Sequence, residues 1–138
     1  MRSYLNRLFS PKQPDTGLWG ESQAAVFLEK QQYKIKARRI RIGRRDEIDI
    51  VALDGDVLVF VEVKTRKSEA FGRPLSAVNR KKRRSLSRAA IRYLRKTKLT
   101  NKLFRFDVVE VIGGPGDENP EIRLVKNAFQ LDKRYDLP

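Results

Sequence analysis

The sequence predicts a single α/β domain in which a mixed five-stranded sheet is flanked by helices, and three observations predict it. Residues 57–63 are apolar at every position except Glu62, the pattern of a strand buried on both faces in the middle of a sheet. A tight Asp-Gly-Asp turn at 54–56 joins that strand to the run Glu47-Ile48-Asp49-Ile50-Val51-Ala52-Leu53, so the two form a hairpin. Stretches with helical apolar spacing near 17–32 and 80–96 bracket the strands, and 138 residues suffice for one such core.

Residues 1–16 hold Arg2, Arg7, Lys12, two prolines and no sustained periodicity. They are expected as a flexible basic arm, with the domain over 17–130 and a polar tail over 131–138. Thr16 or Gly17 starts the first helix, whose apolar stripe is Ala24, Ala25, Phe27 and Leu28. Glu21 precedes Ala25 by four and Leu28 by seven, so it points toward the sheet; a first-turn acid favoured by the helix dipole is the other reading. Tyr33 to Ile42 alternates Ile35, Ala37, Ile40 and Ile42 with Lys34, Lys36, Arg38, Arg39 and Arg41, and the slip of phase at Arg38-Arg39 predicts a bulge. Gly43-Arg44-Arg45-Asp46 then turns the chain. Arg44 and Arg45 form either a basic rim suited to phosphate or a solvated turn.

In the hairpin, parity decides which charges meet. A two-residue Gly55-Asp56 turn closes Asp54 on Val57, which sets Asp49 opposite Glu62 and Glu47 opposite Lys64. An Asp54-Gly55 turn shifts the register by two and keeps all four groups on one face, whereas a three-residue loop separates them. Two carboxylates and an ammonium on a half-buried face are unfavourable without compensation. A divalent metal held by Asp49, Glu62 and the Val63 carbonyl would compensate, with Lys64 beside it to orient water or stabilise phosphate charge. Glu-x-Lys alone on a strand more often marks a solvated face or a structural ion pair. Here it ends an apolar strand with an aspartate across the hairpin, and that context favours the reaction centre.

Residues 67–75, with Gly72 and Pro74, read as a loop near the site. Residues 80–105 then contain twelve Lys or Arg and no acid. Asn79 caps a helix to about Lys96, with Leu86, Ala89, Ala90, Tyr93 and Leu94 inward and Lys81, Arg84, Arg88, Arg92 and Arg95 as a stripe. An unmixed stripe repels itself unless a polyanion meets it, so these five, with Arg44, Arg45 and Arg66, are the candidate nucleic-acid contacts. Leu103 to Ile112 is a strand parallel to the apolar one, reached by a right-handed crossover. After a turn-rich stretch, Glu121 to Val125 is an edge strand and Asn127-Ala128-Phe129 packs its end. Asp107 is either a second acidic site group or the buried partner of an arginine.

A formal charge of +14, from 31 Lys+Arg against 17 Asp+Glu, calls for a polyanionic partner, most simply nucleic acid. No apolar run approaches the length of a membrane span and no signal segment follows Met1, so the expected place is the cytoplasm or the nucleoid. With no cysteine and no histidine, thiol and imidazole chemistry are excluded and only hard oxygen ligands remain, which suits Mg²⁺ or Mn²⁺.

Asp49 followed by Glu62-Val63-Lys64 looks like the D…ExK centre of the PD-(D/E)xK nucleases. Gly17-Leu18-Trp19-Gly20-Glu21, Glu47-Ile48-Asp49, Val61-Glu62-Val63-Lys64-Thr65-Arg66, Arg105-Phe106-Asp107-Val108-Val109 and Asn127-Ala128-Phe129 together resemble the YraN-like family of bacterial proteins. The resemblance implies a restriction-endonuclease-like core of order α-β-β-β-α-β, similar to that of archaeal Holliday junction resolvases. It implies Asp49, Glu62 and Lys64 as catalytic residues, Glu21 as a helical glutamate that assists metal binding and Glu47 as an auxiliary acid. It also implies structured or branched DNA as substrate and a homodimer. The family's pattern has a glycine where this chain has Asp46. The alternative expectation is a non-catalytic nucleic-acid-binding module whose carboxylates pair with Lys64 and nearby arginines.

Overall fold

In a computed structural model, residues 16–68 and 78–135 are described. The elements run α1 (Thr16–Lys30), β1 (Lys34–Ile42), β2 (Asp46–Asp54), β3 (Val57–Arg66), α2 (Arg80–Lys96), β4 (Phe104–Ile112) and β5 (Glu121–Phe129). Of the arm expected over 1–16, only Thr16 is among the described residues, and it begins α1; the rest of the arm and most of the loop expected over 67–75 lie outside them.

The five strands form one sheet in the order β1-β2-β3-β4-β5, with β3 and β4 parallel and the other neighbours antiparallel. This is the α/β architecture that the sequence predicts, consistent with a restriction-endonuclease-like fold. The apolar run of β3 is central because both sheet faces are covered. Ala24, Ala25 and Leu28 of α1 pack on Ile50, Val59, Val61, Val109 and Val111 on one side. Leu86, Ala89, Ala90 and Leu94 of α2 pack on Val51, Leu58, Phe60, Phe106 and Val108 on the other. No helix among the described residues is long and apolar enough to cross a membrane.

Asn79 caps α2 as expected, its Oδ1 accepting the Lys82 backbone N–H at 2.9 Å. Four residues past the expected end of the edge strand, β5 stops at Phe129, because Ala128 and Phe129 continue the packing against the α2 layer. Residues 131–135 then dock on the same layer, with Leu131 and Tyr135 against its core and the Asp132 N–H donating to Ser87 Oγ at 2.9 Å.

At the far end of the sheet Asp107 is fully buried. Its Oδ1 accepts from Arg105 Nε and from the Asn127 N–H, both at 2.9 Å, and its Oδ2 accepts from the Tyr33 hydroxyl at 2.9 Å. Arg105 also reaches Asp54 Oδ2 at 2.6 Å and the Tyr33 hydroxyl at 2.8 Å. Of the two roles that the sequence allows Asp107, the buried arginine partner is the one present.

Candidate functional site

The hairpin closes Asp54 on Val57, and Gly55 supplies the positive φ of 61° that a two-residue turn needs at its first position. That register sets Asp49 across from Glu62. The β2–β3 ladder ends at Ile50↔Val61, and where the next rungs would fall Asp49 Oδ2 accepts the Val63 backbone N–H at 2.8 Å. The two strands therefore part at the position of the carboxylates, with the Asp49 side chain seated in the gap.

Glu47 does not share the face of Asp49, contrary to simple alternation. Ile50 packs in the α1 layer and Ile48 in the α2 layer, so the phase of β2 slips at Asp49. The pairs Arg38↔Ile50 and Ile40↔Ile48 bracket the level at which β1 and β2 both slip, and Arg39 there adopts φ 51°. Such a conformation is unfavourable for arginine and marks a constrained point. The ladder keeps its register from Arg38 to Ile40, so the bulge expected at Arg38-Arg39 is not there: the register shift lies between Ile35 and Ala37, and Arg39 departs in backbone conformation alone. As a result Glu47 turns toward α1, where Arg39 Nε stands 3.7 Å from it and 3.4 Å from Glu21 Oε2.

Glu21 faces the sheet, with its side chain 10% exposed. Burial pushes its carboxyl above the usual range, against the opposing pull of Arg39. The approach of α1 rests on Gly20, where a Cβ would stand 3.0 Å from Thr65 Cβ and closer still to the Thr65 hydroxyl. Gly20→Ala is therefore expected to lower stability by about 1 to 2 kcal/mol in chemical denaturation, although helix propensity alone would raise it by about 1 kcal/mol. A Gly20→Ala protein that is more stable than wild type would refute the close approach; Thr65→Ala in the same chain should restore the loss.

On the α2 side of β3, Glu62 is 4% exposed. Lys64 Nζ lies 3.2 Å from Glu62 Oε1, and Lys82 Nζ, reaching in from α2, lies 3.4 Å from the same oxygen. Glu62 Oε2 and Glu21 Oε1 are buried with no hydrogen-bond partner. Between them, Asp49 is pushed up to about 7, first by burial and then by the Glu62 charge, with the Val63 N–H pulling the other way. Among the described residues no three acids stand close enough to make a ready metal cage.

The basic stripe of α2 divides. Lys81, Arg92 and Arg95 are exposed, and Arg92 Nη1 lies over the β1–β2 turn, 2.7 Å from where a Cβ on Gly43 would stand. Arg44 and Arg45 of that turn are exposed as well. Arg88 leaves the stripe: its Nε and Nη2 donate to Asp46 Oδ2 and Oδ1, each at 2.7 Å. This bidentate pair holds the buried Asp46 carboxyl below its ordinary range. Arg84 is half-covered, 3.9 Å from Asp132 Oδ2. Arg66 ends β3 partly buried, its carbonyl accepting the Gly113 N–H at 2.8 Å.

Sequence reasoning does not single out Lys82 or Glu110. Lys82 is one of twelve basic residues in 80–105. Glu110 sits in a strand whose alternation looks ordinary. It lies in register with Lys64, is 1% exposed, and has Arg123 Nη1 4.0 Å from its Oε2.

Comparison with known proteins gives one consistent result. The sequence model of uncharacterised protein family UPF0102 matches residues 20–111. A UPF0102 protein of Symbiobacterium thermophilum is 49% identical over 110 residues, covering 80% of this chain and 92% of the relative. UPF0102 proteins of Caldicellulosiruptor saccharolyticus and Geobacter metallireducens are each 44% identical over 115 residues, covering 83% of this chain and 97% and 92% of the relatives respectively.

Proposed function

The chain belongs to the uncharacterised protein family UPF0102, and within it we propose a metal-dependent endonuclease-like protein that hydrolyses phosphodiesters in structured or branched DNA. The observation that carries the reading is the meeting of Asp49 and Glu62 where β2 and β3 part, with Lys64 on Glu62. Like charges gathered at a partly buried point destabilise a fold, and such arrangements persist where function uses them.

The donor set fits a hard divalent cation. Asp49, Glu62 and the Val63 carbonyl supply oxygen only, and Glu62 Oε2 and Glu21 Oε1 are buried acceptors without donors. Mg²⁺ or Mn²⁺ bound there would acidify water and offset phosphate charge. The protein's own groups do the rest. Lys64 orients the attacking water or stabilises charge growing on the phosphate. Asp49, pushed up to about 7 by burial and the Glu62 charge without a cation, is a carboxylate that a bound divalent cation would hold ionised. Glu21 supports the cation from α1, and Glu47 restrains Arg39 at the rim. Lys81, Arg92, Arg95, Arg44 and Arg45 offer an exposed basic surface for the phosphate backbone.

A second reading has its own support, because Glu62 is already paired with two lysines and no three-acid cage is formed among the described residues. In it the protein is a non-catalytic nucleic-acid-binding module. Incubating a four-way DNA junction with the protein and Mg²⁺ or Mn²⁺ separates the two. The nuclease reading expects cleavage, reduced at least about a hundredfold in Glu62→Gln and Lys64→Ala proteins that melt as wild type does. Tight junction binding without cleavage supports the module, and equal cleavage by wild type and Glu62→Gln would exclude the assigned site.

A further inference from the structure

Lys82 is the residue through which the basic helix enters the site. Its ammonium shares Glu62 Oε1 with Lys64, at 3.4 and 3.2 Å, while the other oxygen of the same carboxylate has no partner. One oxygen receiving two cations beside one receiving no hydrogen bond is an uneven use of a buried acid, and one cation can leave without stranding it. Lys64 is the less able to leave, being 24% exposed and fixed on the same strand as Glu62. Lys82 is 39% exposed, on a helix whose neighbouring positions Lys81 and, further along, Arg92 and Arg95 face solvent. Its ammonium ends a flexible four-carbon stem that can swing outward without disturbing the backbone.

We propose that Lys82 is a phosphate-contacting residue with two positions: on Glu62 when no nucleic acid is bound, and on a backbone phosphate of the bound strand when Glu62 is otherwise engaged. The inference rests on the nucleic-acid reading of the site and extends it. The grip of α2 and the state of Glu62 become linked, because whatever neutralises Glu62 releases a cation toward the substrate. In the absence of nucleic acid the same lysine quenches the acid and keeps the site closed to stray cations.

The test measures binding of a four-way DNA junction by the full chain over a salt series in EDTA, for wild type, Glu62→Gln, Lys82→Ala, Glu62→Gln/Lys82→Ala and Glu62→Gln/Lys82→Arg. Glu62→Gln should steepen the dependence of log affinity on log salt by about 0.9, one further phosphate contact. Adding Lys82→Ala should remove that gain, and adding Lys82→Arg should keep it. Lys82→Ala leaves the helix cap intact, since Asn79 receives the backbone N–H rather than the side chain, and thermal melts monitor folding. Equal slopes for Glu62→Gln and its Lys82→Ala double variant overturn the proposal, as does an absence of junction binding by every variant. Mg²⁺-dependent cleavage by the same wild-type preparation reports separately on the nuclease reading, so a chain that binds with the expected slopes and never cleaves keeps the Lys82 contact and loses the enzyme.

Discussion

Replacing Asp107 with alanine should cost the fold about 3 to 5 kcal/mol, the range found when one partner of a buried ion pair is removed. The carboxylate is fully buried and receives four donor contacts, from Arg105 Nε and Nη2, the Tyr33 hydroxyl and the Asn127 N–H. Its loss leaves the Asn127 amide without its acceptor at the shift in register between Phe106 and Val108, where the β4–β5 ladder supplies none. It also leaves Arg105, a fifth exposed, to share only Asp54 and Tyr33. Tyr33 is now held strongly neutral, first by its burial and then by its hydrogen bond to Asp107; the variant should let it ionise at lower pH. For a domain of this size the midpoint of thermal melting should fall by about 10 to 20 °C. If Asp107 were instead a second acidic group of the site, its removal would reduce metal or junction binding with little change in melting. A drop of less than about 1 kcal/mol would therefore refute the structural role.

The fold is legible in the sequence because its signals are local. The apolar run of β3, broken only at Glu62 within 57–63, the Asp-Gly-Asp turn and the Asn79 cap each depend on a few adjacent residues, and each is found where expected. The pairing of Asp49 with Glu62 was legible for the same reason, since hairpin length fixes register. What sequence could not give is the partner supplied by another element. The stripe on α2 looks unmixed because its counterions lie elsewhere: Asp46 on β2 takes Arg88 and Asp132 beyond β5 approaches Arg84, while Glu62 on β3 takes Lys82, which lies beside the stripe. Asp46 has its structural role in that first pair. Likewise the slip of β2 at Asp49 has no mark in its own sequence. It is set by the facing Arg39, whose left-handed backbone turns Arg38 toward Ser22 and its own side chain toward Glu21, both on α1.

The pH dependence of Asp49→Asn should expose the cost of gathering these charges. In the native protein Asp49 holds its proton up to about pH 7, whereas an unfolded aspartate releases it near pH 3.9. Between those values the native state binds more protons than the unfolded state, so the contribution of this group to stability falls as pH rises. It is fully present below about pH 4 and lost on passing through about pH 7. Asparagine has no proton to lose and keeps an oxygen for the Val63 N–H, so it avoids the loss. The stability of the variant relative to wild type should thus be near zero at pH 4, grow through pH 5 and 6, and level off above pH 7 at about 3 kcal/mol, allowing for solvent reaching part of the carboxyl. Taking the difference cancels the many other carboxylates and leaves this site. Urea unfolding at four pH values between 4 and 8 measures it, and adding millimolar Mg²⁺ at pH 8 should narrow the gap by stabilising only the wild type. A constant loss of stability on substitution, independent of pH and of Mg²⁺, would mean that Asp49 serves as an ionised structural partner at all these pH values. The carboxylates at the parting of β2 and β3 would then belong to the architecture and not to a reaction, and the non-catalytic module would be the better reading of the chain.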